Sequence, residues 1–260
     1  MIRFKNYTKP KSTKEALSLL NGDAALVAGG VFINLSNINI DTAVDLSEVG
    51  LDFINEDKNV VEIGAFTTLR AVEKSLILQN NFGGIFSKAA SFIMGIQLRN
   101  MATFGAPIYE RIGFSNILTA LLATKTKLVF TKNGVMDLDV FMQKGVTGSD
   151  ILEKVIIQKE QSGKYSFQIF QKSTLDFAVL NVAVGKVGKN IRISVGARPS
   201  YAKLASCAQD EFIKSGEIKK VAEVASDELT FGSNLRGSKK YRKLLCKTLV
   251  EKALLEVKNG

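Results

Sequence analysis

The chain of 260 residues carries 35 Lys and Arg against 25 Asp and Glu, a net charge of +10, with 46% hydrophobic residues, two cysteines and no histidine. That composition belongs to a globular protein long enough to divide into two cores, which excludes intrinsic disorder. Without histidine or closely spaced cysteines, Ser-His and Cys-His dyads, imidazole metal sites, zinc ribbons, iron–sulfur clusters and disulfide frameworks are excluded from the chain's own chemistry.

The opening residues Met1-Ile2-Arg3-Phe4-Lys5-Asn6 have no signal-peptide organisation, and no apolar run reaches the roughly 18 residues of a membrane span. A cytoplasmic protein without membrane association is expected. Ser12-Thr13-Lys14-Glu15 reads as a capping box that opens a helix through Leu17, Leu19 and Leu20, stopped by Asn21-Gly22. An apolar strand, Ala24 to Ala28, runs into Gly29-Gly30, and a second strand, Thr42 to Leu46, follows a polar loop. In Leu26-Val27-Ala28-Gly29-Gly30 the glycines permit positive φ and close backbone approach. Such a turn either simply ends a strand or gathers peptide N–H groups around an anion such as a pyrophosphate.

From Leu51 the pattern becomes a hairpin turning at Glu56-Asp57-Lys58-Asn59, with Val60, Val61 and Ile63 on the returning strand. Thr67-Thr68 is placed to cap a helix through Leu69, Val72 and Leu76, and a mostly apolar helix spans about 84 to 94. A second small-residue turn follows, Arg99-Asn100-Met101-Ala102-Thr103-Phe104-Gly105-Ala106. Gly105 either marks a bend between a buried helix and a strand or belongs to a second backbone cradle, and two separate cradles suit a molecule as long as a dinucleotide. Neither is a Rossmann G-x-G-x-x-G or a P-loop, and neither of those motifs occurs in the chain.

Beyond it come a helix around Ile117 to Ala123, a strand at Leu128 to Thr131, a turn at Lys132-Asn133-Gly134 and a strand at Ile151 to Ile157. Polar residues from Gln158 to Gly163 mark a domain boundary. The second part begins with alternation at Tyr165, Phe167 and Ile169, then pairs strands 179–184 and 191–195 through Val187-Gly188-Lys189-Asn190. It ends in helices, the last carrying Tyr241, Leu244, Leu245, Thr248 and Leu249 at helical spacing. The basic cluster Lys239, Lys240, Arg242, Lys243 and Lys247 reads as a solvated helix face, or alternatively as a docking surface for an acidic partner. Elsewhere Lys and Arg are interspersed with acids, and no nucleic-acid partner is expected.

Six blocks occur in order: Ala28-Gly29-Gly30; Val44-Asp45-Leu46-Ser47; Ile63 to Leu69; Gln97 to Gly105; Ile193 to Pro199; and Leu235-Arg236-Gly237-Ser238 with Tyr241-Arg242. The series resembles the FAD-binding subunit of molybdenum hydroxylases, the xanthine dehydrogenase and carbon monoxide dehydrogenase family, over nearly the whole chain. The resemblance implies an α+β fold: a two-lobed FAD-binding domain over 1–163, with lobes of about 1–53 and 54–163, then a C-terminal domain of antiparallel sheet with a helical layer over 164–260. It places Leu26, Val27, Ala28, Gly29, Gly30, Val31, Phe32 and Ile33 around the FAD pyrophosphate, and Thr103, Phe104, Gly105, Ala106 and Pro107 in the second cradle. Asn116 falls where the family usually has an Asp near the flavin, Lys172 matches a lysine that approaches the isoalloxazine, and Ile93 and Leu152 fall at apolar positions against the cofactor.

The implied activity is electron transfer within a hetero-oligomer. FAD would carry electrons from an iron–sulfur partner subunit to NAD or another acceptor, while a molybdenum-binding catalytic subunit hydroxylates the substrate. The molybdenum cofactor and the iron–sulfur clusters would reside only on those partners. The chain departs from the family pattern at Val31-Phe32, where a hydroxyl donor is lost, and at Ala106-Pro107, where Gly-Asn is usual and one N–H is lost. Each lost donor to a charged oxygen costs about 1.5–3 kcal/mol, so weakened FAD binding is expected. The alternative is a cofactor-free structural subunit with a degenerate flavin site.

Overall fold

The computed structural model describes residues 3–31, 33 and 39–259. Three sheets follow one another along the chain. The first holds β1 (Arg3–Thr8), β2 (Ala24–Val27) and β3 (Asn39–Asp45), all parallel in the order β1-β3-β2, with α1 (Thr13–Leu19) between β1 and β2. The Ser12 half of the capping box forms, with Ser12 Oγ accepting the Glu15 N–H at 3.2 Å, whereas the Glu15 carboxylate reaches past the N-cap to the Lys11 N–H at 2.8 Å. Ala16 of this helix packs with Val44, Leu46, Leu51 and Ile151 in a small core. Strand β1 has no counterpart in the sequence reading, because its side chains stay largely exposed and leave no apolar alternation.

The second sheet contains β4 (Ile54–Glu56), β5 (Val60–Gly64), β6 (Thr126–Phe130), β7 (Gly134–Asp137) and β8 (Leu152–Gln158), antiparallel in the order β4-β5-β8-β6-β7. Six short helices run between β5 and β6: α2 (Leu69–Lys74), α3 (Leu76–Asn81), α4 (Ile85–Ser91), α5 (Ile96–Met101), α6 (Gly105–Tyr109) and α7 (Asn116–Leu122). A seventh, α8 (Leu138–Lys144), follows β7. Thr68 caps α2 as expected, accepting from the Ala71 N–H at 3.1 Å. The helix expected to continue through Leu76 instead ends at Lys74. Ser75 is extended there (φ −63°, ψ 114°), and its hydroxyl caps α3 through the Leu78 N–H at 3.3 Å. The second small-residue turn is likewise not one turn. Arg99 to Met101 close α5 and Gly105 opens α6, so only Ala102 to Phe104 bridge the two helices, with Thr103 pairing to Thr68.

The third sheet is antiparallel in the order β12-β11-β10-β9, from β9 (Lys164–Phe170), β10 (Leu180–Val187), β11 (Asn190–Gly196) and β12 (Lys203–Leu204). Period-two alternation splits its faces. Val182, Val184, Ile193 and Val195 pack under α9 (Ser206–Ser215), α10 (Ile218–Glu228) and α11 (Lys239–Asn259). Asn181 and Ser194 point the other way, onto α7: Asn181 bonds Asn116 at 2.7 Å and Thr119 at 2.9 Å, and Ser194 Oγ donates to the Thr119 carbonyl at 2.5 Å. The third sheet is thus bolted to the helices of the second.

The buried seam of α11 is Arg242, Cys246, Leu249, Val250, Ala253, Leu254 and Val257, whereas Tyr241 and Leu244 of the expected apolar face are 39% and 63% exposed. Arg242, read as part of a basic surface cluster, is 1% exposed. Backbone carbonyls satisfy its guanidinium, which is what lets a charged residue occupy a core position.

Candidate functional site

The two small-residue segments meet. Strand β2 delivers Leu26 and Val27 to a turn in which Gly29 and Gly30 adopt φ of +57° and +70°. A β-carbon on Gly29 would overlap the Met101 carbonyl and lie 3.5 Å from Thr103 Cγ2. A β-carbon on Gly105 would lie 2.6 Å from that of Ala65 at the end of β5. Much of the bareness of these glycines therefore serves contact of chain with chain. It is not all directed outward, as the sequence alone suggests.

Some of the polar groups here remain available and others do not. The N–H groups of Phe104 and Gly105 are taken by the carbonyls of Thr67 (2.7 Å) and Ala65 (2.8 Å), and Pro107 has none. The N–H groups of Gly29, Val31, Thr103 and Ala106 make no hydrogen bond among the described residues. Thr103 is 2% exposed, and its Oγ1 is likewise buried without a partner among them. Buried hydroxyls are nearly always bonded, so this one marks a place that a further polar group would complete.

Around the junction opens a cavity of about 870 Å³ with a mostly apolar wall. That size is within the usual range for organic cofactors. Leu26, Ala28, Gly30, Val31 and Ile33 line it from the first turn, and Thr103, Gly105, Ala106 and Pro107 from the second. Ile93, Asn116 and Leu152 also reach it. Val27, Gly29 and Phe104 stand behind the wall, and Phe32 lies outside the described residues.

Asn116 is 5% exposed and already engaged: Nδ2 donates to the Ala89 carbonyl at 3.2 Å and Oδ1 accepts from Asn181. Lys172 is not on the wall; its Nζ donates to the Leu235 carbonyl at 3.3 Å. Among the described residues the wall carries Glu110, Asp150 and Asp176 but no Lys or Arg. An anion held there is met by peptide and hydroxyl dipoles.

Several wall residues carry no signal at the sequence level. Met94 sits at φ +44°, unusual for a non-glycine residue, and Arg99 holds it: Nη1 donates to the carbonyls of Ile93 (2.9 Å) and Met94 (2.6 Å), while Nε pairs with Glu73 at 2.9 Å. Burial works against ionisation of Glu73, yet bonds from Arg70 and Arg99 hold its carboxyl below the usual range. On the C-terminal side, Phe177 packs on Phe114 with ring centroids 4.4 Å apart, and Arg236 lies 5.0 Å over the Phe177 ring. Arg236 Nε also bonds Asp176 at 2.9 Å and depresses that carboxyl. Gln171 ties the same loop to Phe92 at 3.0 Å. These positions lie in loops without periodicity; only their nearness to Lys172 and to the Leu235-Arg236-Gly237 block hints at them.

The site thus offers a large apolar slot, unbonded N–H groups from two abutting segments and one orphan hydroxyl. Those features fit a long, flat, largely apolar molecule with a bridging pyrophosphate, as FAD is. Among the described residues no helix is long and apolar enough to cross a membrane.

Comparison with known proteins agrees. Residues 2–158 match the model of the FAD binding domain in molybdopterin dehydrogenase, and residues 165–257 that of the CO dehydrogenase flavoprotein C-terminal domain. The chain is 25% identical to the xanthine dehydrogenase FAD-binding subunit of Escherichia coli O157:H7 over 285 residues, covering 98% of this chain and 97% of that one. It is 23% identical over 275 residues to the glyceraldehyde dehydrogenase medium chain of Sulfolobus acidocaldarius, covering 97% and 98%. Its fold matches a chain of carbon monoxide dehydrogenase from Hydrogenophaga pseudoflava with a TM-score of 0.89, at 24% identity over 99% of this chain and 98% of that one.

Proposed function

The chain belongs to the family of FAD-binding domains in molybdopterin dehydrogenases, and from that premise we propose that it is the electron-transfer subunit of a cytoplasmic molybdenum hydroxylase complex. In this reading residues 1–163 form the FAD-binding domain and 164–260 the C-terminal domain. An iron–sulfur subunit supplies electrons, NAD or another acceptor removes them, and hydroxylation proceeds on a molybdenum-binding subunit.

FAD accepts and releases electrons singly or in pairs, which is the chemistry needed between one-electron iron–sulfur centres and a two-electron acceptor. The chain's own residues bind and orient it. The turn from Leu26 to Ile33 and the segment from Thr103 to Pro107 would hold the pyrophosphate, with the N–H groups of Val31, Thr103 and Ala106 and the Thr103 hydroxyl as donors, and Gly29 behind the wall joining the two segments. Ile93 and Leu152 give apolar contact and exclude water, Asn116 presents its remaining amide N–H, and Lys172 stands outside the wall, bonded to Leu235. The observation that carries this reading is the meeting of the two segments at the cavity, where Val31, Thr103 and Ala106 line the wall with N–H groups unbonded among the described residues and the buried Thr103 hydroxyl has no partner among them.

A specific observation favours the second reading, a structural subunit without cofactor. In the second cradle the N–H groups of Phe104 and Gly105 are already bonded internally and Pro107 offers none. The visible absorption of the purified chain, before and after soaking in FAD and desalting, separates the two. Flavin bands that persist after desalting support the electron-transfer subunit, and a colourless protein after soaking supports the structural one.

A further inference from the structure

Leu235 is 98% exposed, yet it sits in a turn closed by backbone and side-chain hydrogen bonds. Asn234 and Gly237 bond each other reciprocally, both at 3.1 Å. The buried guanidinium of Arg242 grips the turn from inside, donating to the Gly232 carbonyl (2.9 Å), to Asn234 Oδ1 (2.6 Å) and to the Gly237 carbonyl. Its Nε anchors the grip to the Val179 carbonyl at 2.9 Å. Among the described residues no carboxylate pairs with this buried charge; its bonds run to carbonyls and one side-chain amide. A leucine held rigidly in solvent gains nothing for the isolated chain, whereas a preorganised apolar knob binds a partner at low entropic cost.

Further exposed apolar side chains lie on the two segments bonded to the turn, residues 170–176 and α11. Leu175 (60% exposed) and Leu244 (63%) are open, and Phe170 meets Tyr241 edge to face at 6.0 Å. Lys172 lies on the Leu235 carbonyl, and Lys239 and Lys240 begin α11 beside it; none of the three has a carboxylate within ion-pair distance among the described residues. Arg236, next in sequence, reaches Asp176 and Phe177 on the cavity wall. An apolar knob, with cations around it that form no ion pair among the described residues, is therefore joined through Arg236 to the wall of the proposed cofactor site.

We propose that Leu235 is the central anchor of the docking surface for the iron–sulfur subunit, and that it enters an apolar pocket rimmed by carboxylates on that partner. The proposal rests on the electron-transfer reading above, because a subunit that feeds a flavin must dock beside its site. Charge complementarity selects an acidic face, and the exposed leucine selects a pocket at its centre.

The test uses the full chain and the purified iron–sulfur subunit of the same organism, with binding followed by biolayer interferometry at low and high salt. Leu235→Asp is expected to weaken binding at least tenfold. The Lys239→Glu, Lys240→Glu double variant is expected to slow association and flatten its salt dependence. Ile213→Asp, 58% exposed on α9, is expected to change neither. FAD titration of the same samples reads the cofactor site separately, and Leu235→Asp is expected to leave it intact. Unchanged binding of Leu235→Asp to the iron–sulfur subunit would overturn the docking proposal while leaving the flavin reading to its own titration. So would a loss confined to the molybdenum subunit, Leu235-dependent self-association of the isolated chain, or no association of the wild-type pair.

Discussion

Gly29 packs directly against the carbonyl of Met101, so that any β-carbon at position 29 would overlap that oxygen. The contact joins the turn after β2 to the break between α5 and α6, the two places where the chain offers unbonded N–H groups to the cavity. Binding and folding are therefore coupled at this joint. Gly29→Ala places a side chain at φ +57° as well as in collision, and a left-handed non-glycine residue alone costs about 1–2 kcal/mol. The expected outcome is a lowered melting temperature together with loss of FAD affinity, read by thermal unfolding and FAD titration of one sample.

Thr103→Val separates the two effects. It keeps the shape and removes a buried hydroxyl that has no partner among the described residues. The unliganded protein is expected to melt at the same temperature or slightly higher, since nothing bonded is lost. FAD affinity is expected to fall about tenfold or more, as a hydrogen bond to a charged oxygen is worth about 1.5–3 kcal/mol. Calorimetric titration with melting curves with and without FAD checks both halves.

Pro107→Asn restores an N–H in the first turn of α6, beside the free N–H of Ala106. It is expected to tighten FAD binding severalfold, measured by the same titration.

Arg99 is 6% exposed and ties α2 to the strained Met94. Arg99→Met leaves Glu73 half of its partners and frees the Ile93 and Met94 carbonyls, with an expected loss of about 3 kcal/mol in urea unfolding. The pH dependence has a definite sign. The Glu73 carboxyl is held low in the folded protein, so its contribution is present above the ordinary glutamate range and disappears as pH falls through the folded value. Arg99→Met is expected to blunt that acid sensitivity in unfolding curves between pH 3 and about 6.

The two cysteines are expected to behave oppositely. Burial pushes the Cys246 thiol up to about 12, while Cys207 is exposed. At pH 8, a thiol reagent is expected to modify one cysteine in the native protein and the second only on unfolding, counted by mass spectrometry. The folded thiol of Cys246 keeps its proton above pH 9, where the unfolded one loses it, so its contribution to stability declines from there toward pH 12.

How much of this was legible in the sequence follows from where the information is local. The Ser12 and Thr68 caps, the 56–60 and 187–190 hairpins and the alternation from Tyr165 depend on neighbours within a few residues, and all appear in the structure. Strand β1 was hidden because it is bound by pairing with β3 more than by burying an apolar face. The core face of α11 is not legible in the sequence because Arg242 enters it, a choice that depends on carbonyls from residues 179, 232 and 237.

At the site, the two small-residue segments stood out in the sequence, but their mutual contact did not. Gly29 and Met101 are far apart in the chain, and nothing local announces that they touch. The same holds for Phe114 against Phe177 and for Arg236 over Asp176. The resemblance to a known family supplied the cofactor; the chain's own pattern supplied only the places where bare backbone gathers.

Titration of the purified chain with FAD, followed at once by isothermal calorimetry and by thermal unfolding, decides whether the junction of the two segments holds the cofactor. Saturable binding at one site per chain is expected, with a melting temperature that rises with FAD concentration and an affinity reduced by Thr103→Val. Absence of heat and of any melting shift at millimolar FAD would contradict it.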